Sequence, residues 1–283
     1  MECYTIKNGV KIPVIGYGTW RAAEDGTDNN IYNALMEGYR HIDSAAFYHT
    51  EPFVKTALER SGLKREDVFI TTKLWKTDLG YESAHRNFRE SLERLGTDYV
   101  DLYMMHWPRL NKHGDEWLEL DIETWKAFEE IYESGQARVI GVCNFLPHHL
   151  ENLSRGARIM PMVNQIEFHP GYSQLAVLDY CRKSDILVEA WSPIGQARLL
   201  ADPFINEIAS SYHKTVAQIC VRYALQCGVL PLPRSKSVEH MRDNKDVFDF
   251  ELSAFDMSQL MCFPQTGWSG EHPDRDRIPM PQN

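Results

Sequence analysis

The sequence has no run of apolar residues approaching the roughly 18 that a membrane-spanning helix needs. Its first residues, MECYTIKNGV, offer neither the basic start nor the apolar stretch of a secretory signal. Both absences point to a cytoplasmic protein with no membrane partner. Cysteine is scarce and scattered: six residues, at 3, 143, 181, 220, 227 and 262, form no C-x-x-C pair and no Cys/His ligand spacing. Reduced thiols are expected, with neither a disulfide framework nor a bound metal. Positive charge is also short. Thirty Lys and Arg against 40 Asp and Glu leave a net charge of −10, which argues against a nucleic-acid partner or an anionic-membrane surface. A few local cations would still suffice for one small phosphate. The Gly-rich fingerprint of a Rossmann dinucleotide site is missing too. Gly16 and Gly18 supply only G-x-G.

What is present is a regular change of hydrophobic period. Short β-rich runs fall at 13–18, 40–45, 68–73, 100–106, 138–143, 162–167, 186–191 and 228–233. Helical segments lie between them. In 82–95 the residues Ala84, Phe88, Leu92 and Leu95 recur at spacings of four and three, and in 123–133 Trp125, Phe128 and Ile131/Tyr132 do the same. Strand–helix alternation implies right-handed crossovers and a parallel sheet. Eight such units with no linker or repeat predict one α/β domain over 1–283, a closed (β/α)8 TIM barrel. The first residues, YTIKNGVKIP, read as a β-hairpin around Lys-Asn-Gly that could plug the barrel bottom. The Pro- and Gly-rich tail after Gln265 reads as a short C-terminal loop.

Several predicted strands end in polar residues: Asp43, Lys73, His106, Asn144, Gln165 and Glu167. Barrel active sites collect where the C-terminal strand ends converge, so these side chains are expected at one mouth. Any one of them alone would more often be a satisfied core-edge residue than a catalyst.

At these positions the sequence resembles the aldo-keto reductase superfamily. The matching segments are GYGTW (16–20), HIDSAAFY (41–48), TTKLW (71–75), LYMMHWP (102–108), GVCNF (141–145), NQIEFHP (164–170), WSPIG (191–195) and PLPRS…RDN (231–244). They follow the family's order along nearly the whole chain. The resemblance implies an enzyme that reduces aldehydes or ketones, with Asp43, Tyr48, Lys73 and His106 as its catalytic group. The chemistry suits those residue types. A developing alkoxide needs a proton, and a neutral tyrosine can give one. A lysine ammonium nearby stabilises phenolate, an aspartate holds that lysine charged, and a neutral histidine can orient the carbonyl. A reading from another class stays open: a nicotinamide-nucleotide-binding sensor or regulatory subunit with slow turnover.

The resemblance also implies NADPH, with NADH as a second option, lying across the mouth. Asn144 and Gln165 would hold its carboxamide beside Cys143, and Trp191 would stack on the ring. Gly18, Thr19, Trp20 and Asp43 would contribute from the first strands, and Ser192, Ile194 and Gln196 from the segment after Trp191. Leu232, Arg234, Ser235, His240, Asp243 and Asn244 would serve the adenosine end. Three departures from the family pattern stand out: Cys143 for serine, Trp191 for tyrosine, and Arg234 with His240 where Lys and Arg are common. Trp20, Phe47, Tyr48, Trp75, His106 and Trp107 would line an aromatic pocket for a small carbonyl substrate. The loops after His106 and the tail with Trp268 would complete it. A monomer is the implied assembly.

Overall fold

The computed structural model describes residues 2–108, 116–275 and 277. An antiparallel hairpin, β1 (Cys3–Thr5) and β2 (Lys11–Pro13), comes first. Gly9 at φ +85° takes the left-handed turn position that favours glycine, and its N–H donates to Ile6 O. The barrel strands follow as β3 (Tyr17–Gly18), β4 (His41–Asp43), β5 (Phe69–Leu74), β6 (Val100–Met105) and β7 (Ala137–Cys143). They continue with β8 (Val163–Glu167), β9 (Leu187–Trp191) and β10 (Val229–Leu232). Each pairs in parallel with its sequence neighbour, from β3 through to β10. The hairpin lies across the N-terminal ends of these strands, where Lys7 Nζ donates to Pro161 O and Asn8 Nδ2 to Arg138 O.

All eight predicted strands are present, most with ends shifted by one or two residues and the first shortened the most. In the run 13–18, Pro13 belongs to the hairpin and only Tyr17–Gly18 to the barrel. The cause lies across the seam. The barrel closes through Gly16 N–H to Pro231 O and Gly18 N–H to Pro233 O. Both acceptors are prolines and have no N–H to return. The seam is therefore donated from one side only, and the ladder there is short.

Helices α1 (Asn29–Met36), α2 (Glu51–Ser61), α3 (Tyr81–Leu95), α4 (Trp117–Glu133), α5 (Pro147–Ser154) and α6 (Leu175–Lys183) follow strands β3 to β8 in turn. Two helices, α7 (Pro203–Ser211) and α8 (Val216–Gln226), separate β9 from β10, and α9 (Val238–Lys245) and α10 (Ala254–Met261) complete the set. The expected faces are the buried ones: Ala84, Phe88, Leu92 and Leu95 on α3, and Trp125, Phe128 and Ile131 on α4. Every residue of β5 and β6 is buried, because one side of each strand faces helices and the other the barrel interior. Beyond α10 the described tail carries no helix or paired strand apart from an isolated bridge between His272 and Arg275. Among the described residues no helix is long and apolar enough to cross a membrane.

Gly16 tests the seam. A Cβ there would lie 2.5 Å from Leu232 Cδ2 and 2.7 Å from His41 Nδ1. The His41 ring is fully buried edge-on to Phe69 and has little room to retreat. Gly16→Ala should lower stability by about 1–3 kcal/mol through overpacking, read as a lower urea midpoint at constant m-value. An unchanged midpoint would show slack at the closure.

Candidate active site

Asp43 closes β4 and Lys73 lies in β5, so adjacent parallel strands carry them to the same end of the barrel. Lys73 has no solvent exposure. Its ammonium donates to Asp43 Oδ1 at 2.7 Å, to Asp43 Oδ2 at 2.8 Å and to Ser44 O at 3.0 Å. All three N–H bonds are thereby used.

Tyr48 ends a single 3-10 turn, Ala46–Tyr48, between extended Ala45 and left-handed His49 (φ +55°). The turn is fixed from below by a buried hydroxyl chain in which Thr50 Oγ1 meets Thr19 Oγ1 at 2.8 Å and Ser44 Oγ at 2.9 Å. The Tyr48 hydroxyl then stands 3.4 Å from Nε2 of His106, the residue after β6. The Lys73 ammonium lies 4.9 Å from the centre of the tyrosine ring. The four residues expected to act together are thus brought together.

Their electrostatics differ from the sequence expectation in one respect. Burial raises the Tyr48 pKa above that of a free phenol; Lys73 pulls it down but does not overcome burial, while Asp43 pushes it further up. The hydroxyl therefore keeps its proton across the neutral range. Burial disfavours the charge on Lys73 more than any single neighbour favours it, but Asp43, through charge and hydrogen bond, together with Tyr48 and Cys143 raises the ammonium pKa. His106 is driven well below the usual histidine range by burial, then by Lys73 and Lys76, so its imidazole is neutral.

On the other side of the mouth, Asn144 (φ +64°) donates through Nδ2 to His106 O at 3.0 Å and to Cys143 Sγ at 3.2 Å. Its Oδ1 accepts the Trp191 indole N–H at 2.8 Å. Asn144 thus fixes the indole plane through this bond, a role in addition to the carboxamide contact expected of it. Gln165 Nε2 donates to Asp43 Oδ1 at 2.9 Å and to Glu189 Oε2 at 2.8 Å. Glu189 was absent from the sequence candidates. The signal was there: a carboxylate in the middle of the apolar run ILVEAW.

The aromatic side chains form a slab. Phe47 stacks on Trp75 with centroids 3.7 Å apart and on Trp20 at 5.7 Å, with interplanar angles of 8° and 10°. Tyr48 leans on Trp20, and His106 meets Trp75 and Tyr48 edge-on. Trp107 is half-buried and outside this slab. Two further expectations are redirected. Glu167 accepts from Ser269 N and Oγ at 2.9 and 2.7 Å and so anchors the tail. Trp268 is buried and stacks on Tyr172, as a fastening of that tail. Part of the loop after His106, 109–115, lies outside the described residues.

The residues assigned to the outer cofactor contacts lie on neighbouring loops. After β9, Ser192 (φ +52°) and Gln196 (φ +54°) hold left-handed backbone on either side of half-buried Ile194. Leu232 ends β10 and is buried; beyond it Ser235 is half-buried, and Arg234 and His240 are exposed. Asp243 is half-buried and Asn244 buried on α9. Thr19 is buried, its hydroxyl donating to Asp43 O at 3.0 Å, and Gly18 packs under Leu232 O, where a Cβ would sit 3.2 Å away.

A nicotinamide fits the groups present. The Gln165 amide nitrogen is occupied by two carboxyls, and its Oε1 has only a long 3.9 Å thiol contact from Cys143. That leaves an acceptor for a carboxamide NH₂. Trp191, half-buried and held at its N–H, offers a ring face. A separate group, His148, His149 and Asp274, places its ligand-type atoms within 4.8 Å of one another. His149 Nδ1 accepts the Leu146 N–H, so Nε2 carries the ring proton of the neutral form and donates to Asp274 at 3.0 Å. This arrangement ties tail to α5 and opposes metal ligation through that nitrogen.

The barrel and this mouth define an oxidoreductase. The Aldo/keto reductase family profile matches residues 14–262. The glyoxal reductase of Bacillus subtilis is 42% identical over 271 residues, spanning 95% of each chain. A crystal structure of an aldo/keto reductase from Brucella melitensis superposes with TM-score 0.85 at 41% identity, covering 92% of this chain and 98% of that one. A Bombyx mori aldo-keto reductase in complex with NADP gives 0.85 at 30% identity, covering 99% and 95%. This chain belongs to the aldo/keto reductase family.

The Asp43–Lys73 pair makes a prediction about stability. Lys73→Met leaves a buried carboxylate without its cation and should cost about 3–5 kcal/mol. Adding Asp43→Asn should recover part of that loss. The check is a double-mutant cycle by chemical denaturation, in which simple additivity would mean the two groups do not sense each other.

Proposed function

We propose that this chain reduces aldehydes or ketones to alcohols with NADPH, with Tyr48 as the proton donor. The observation that carries the reading is the Tyr48 hydroxyl, protonated through burial and 3.4 Å from neutral His106, directly above the Lys73–Asp43 pair. Bound NADPH supplies the hydride. The protein residues do the rest. His106 offers an N–H to the substrate oxygen and fixes its angle. Tyr48 passes its proton to that oxygen as negative charge develops there. The Lys73 ammonium then faces the tyrosine ring, where it favours the transient phenolate. The slab of Trp20, Phe47 and Trp75 gives the carbonyl an apolar wall that excludes water.

The test is NADPH oxidation at 340 nm against a carbonyl panel. The panel begins with glyoxal, because the Bacillus subtilis relative bears that name. Tyr48→Phe keeps the ring and removes the proton, so turnover should fall by ~10²-fold or more with nucleotide affinity preserved. Near-wild-type turnover in that variant would refute the assignment. Retained nucleotide binding with negligible turnover across the whole panel would favour the sensor reading.

Cofactor choice rests on the adenosine end. Arg234 is exposed, with one N–H donated to Arg21 O at 3.4 Å, and its fork suits a 2′-phosphate. His240 sits on the first turn of α9, its backbone N–H capped by Ser237 Oγ. An imidazole N–H makes a single contact where a guanidinium offers a fork. NADPH should be preferred over NADH, and His240→Arg should widen the ratio of their kcat/KM values. A ratio unchanged by the arginine would mean that position 240 does not face the phosphate.

A further inference from the structure

Glu189 is a charged residue type at the centre of the barrel, and the mechanism above leaves it unused. It lies in β9, in register with Gln165 of β8 and Leu230 of β10, and has no solvent exposure. Oε2 accepts from Gln165 Nε2 at 2.8 Å, while Oε1 has no partner among the described residues. The same Gln165 nitrogen reaches Asp43 at 2.9 Å, so two carboxyls flank one amide. The groups around this amide are Asp43 from β4, Lys73 from β5, the Met104 thioether from β6 and the Cys143 thiol from β7. The one cation among them, Lys73, has given all its N–H bonds to Asp43 and Ser44. With both carboxyls ionised the cluster would carry an uncompensated negative charge in an interior almost without solvent exposure. That is costly unless a proton neutralises it.

We infer that Glu189 holds this proton when the ring above Gln165 is absent or neutral, and releases it to solvent when the ring is a cation. The inference rests on the reading that nicotinamide binds over Gln165 and Trp191. Reduced nicotinamide is neutral and oxidised nicotinamide carries a positive charge, so only the oxidised cofactor adds the charge that an ionised Glu189 would balance. The net event is dissociation of one proton from the carboxyl on binding, with no other bond changed. Burial first, then the Asp43 charge, raises the carboxyl to about 8 against Gln165 and Lys73, which lower it. Glu189 is therefore protonated at pH 7 in the free protein. A cation nearby lowers that pKa. NADP⁺ should thus bind more tightly as pH rises toward about 8 and level off above it, by at most about tenfold per pH unit. NADPH should lack this component.

The experiment is isothermal titration of each nucleotide at pH 7 in two buffers of different ionisation enthalpy, which counts protons as well as affinity. The 2′-phosphate is common to both nucleotides, so its contribution cancels. Wild type should release more protons with NADP⁺ than with NADPH, by a difference approaching about one. The difference should survive in Tyr48→Phe and vanish in Glu189→Gln. Equal counts for the two nucleotides would overturn the inference, as would a difference that persists in Glu189→Gln or disappears in Tyr48→Phe. If Glu189→Gln does not fold, infrared difference spectra of wild type decide instead. The protonated-carboxyl band should bleach on adding NADP⁺ and not NADPH, and an unchanged band overturns the proposal. Failure of both nucleotides to bind would overturn the cofactor reading, and this inference with it.

Discussion

A lysine with no solvent exposure, held by three hydrogen bonds to Asp43 and Ser44, sets the terms for the rest of the mouth. An unpaired ammonium could not stay charged there, and an unpaired carboxylate would protonate or disrupt its strand. Because the pair is satisfied, it places a fixed positive charge under the Tyr48 ring. It also anchors Gln165 through Asp43 Oδ1. From Gln165 the network extends to Glu189, and separately Asn144 joins His106 to Trp191. Residues on or just after six of the eight barrel strands are held in these two hydrogen-bonded groups.

The barrel makes those groups possible by bringing the C-terminal ends of parallel strands to a common rim. It also allows a polar layer to exist inside. Strand side chains alternate between the helix layer and the interior, so a single position such as Glu189 can face inward between the apolar residues Val188 and Ala190. The aromatic slab performs a different task. It uses exposed and half-buried rings to make an apolar wall beside a polar group, and a lower local dielectric strengthens electrostatic interactions there.

Much of this was legible in the chain. The alternation of period located all eight barrel strands, and Lys-Asn-Gly marked the hairpin. Strand-end position offered Asp43, Lys73 and His106, and the family resemblance of their segments added Tyr48 and joined the four into one group. Three features were not legible. The run 13–18 looked like one strand, because nothing local says that Pro231 and Pro233 lie opposite Gly16 and Gly18. Glu167 looked like a site residue, yet Ser269, about a hundred residues later, takes its carboxylate. Glu189 looked like an isolated charge in a strand.

The sequence by itself determined the architecture and the chemical types at the mouth, because hydrophobic period and strand-end position are properties of neighbouring residues. Only the tertiary structure decided which charges are shared and which protons are kept. Those depend on distances between Asp43, Lys73, Gln165 and Glu189, which come from four different strands, and on burial that no single segment creates. The raised phenol of Tyr48 follows the same logic: a nearby lysine suggests a lowered pKa, and the removal of water around the ring reverses it.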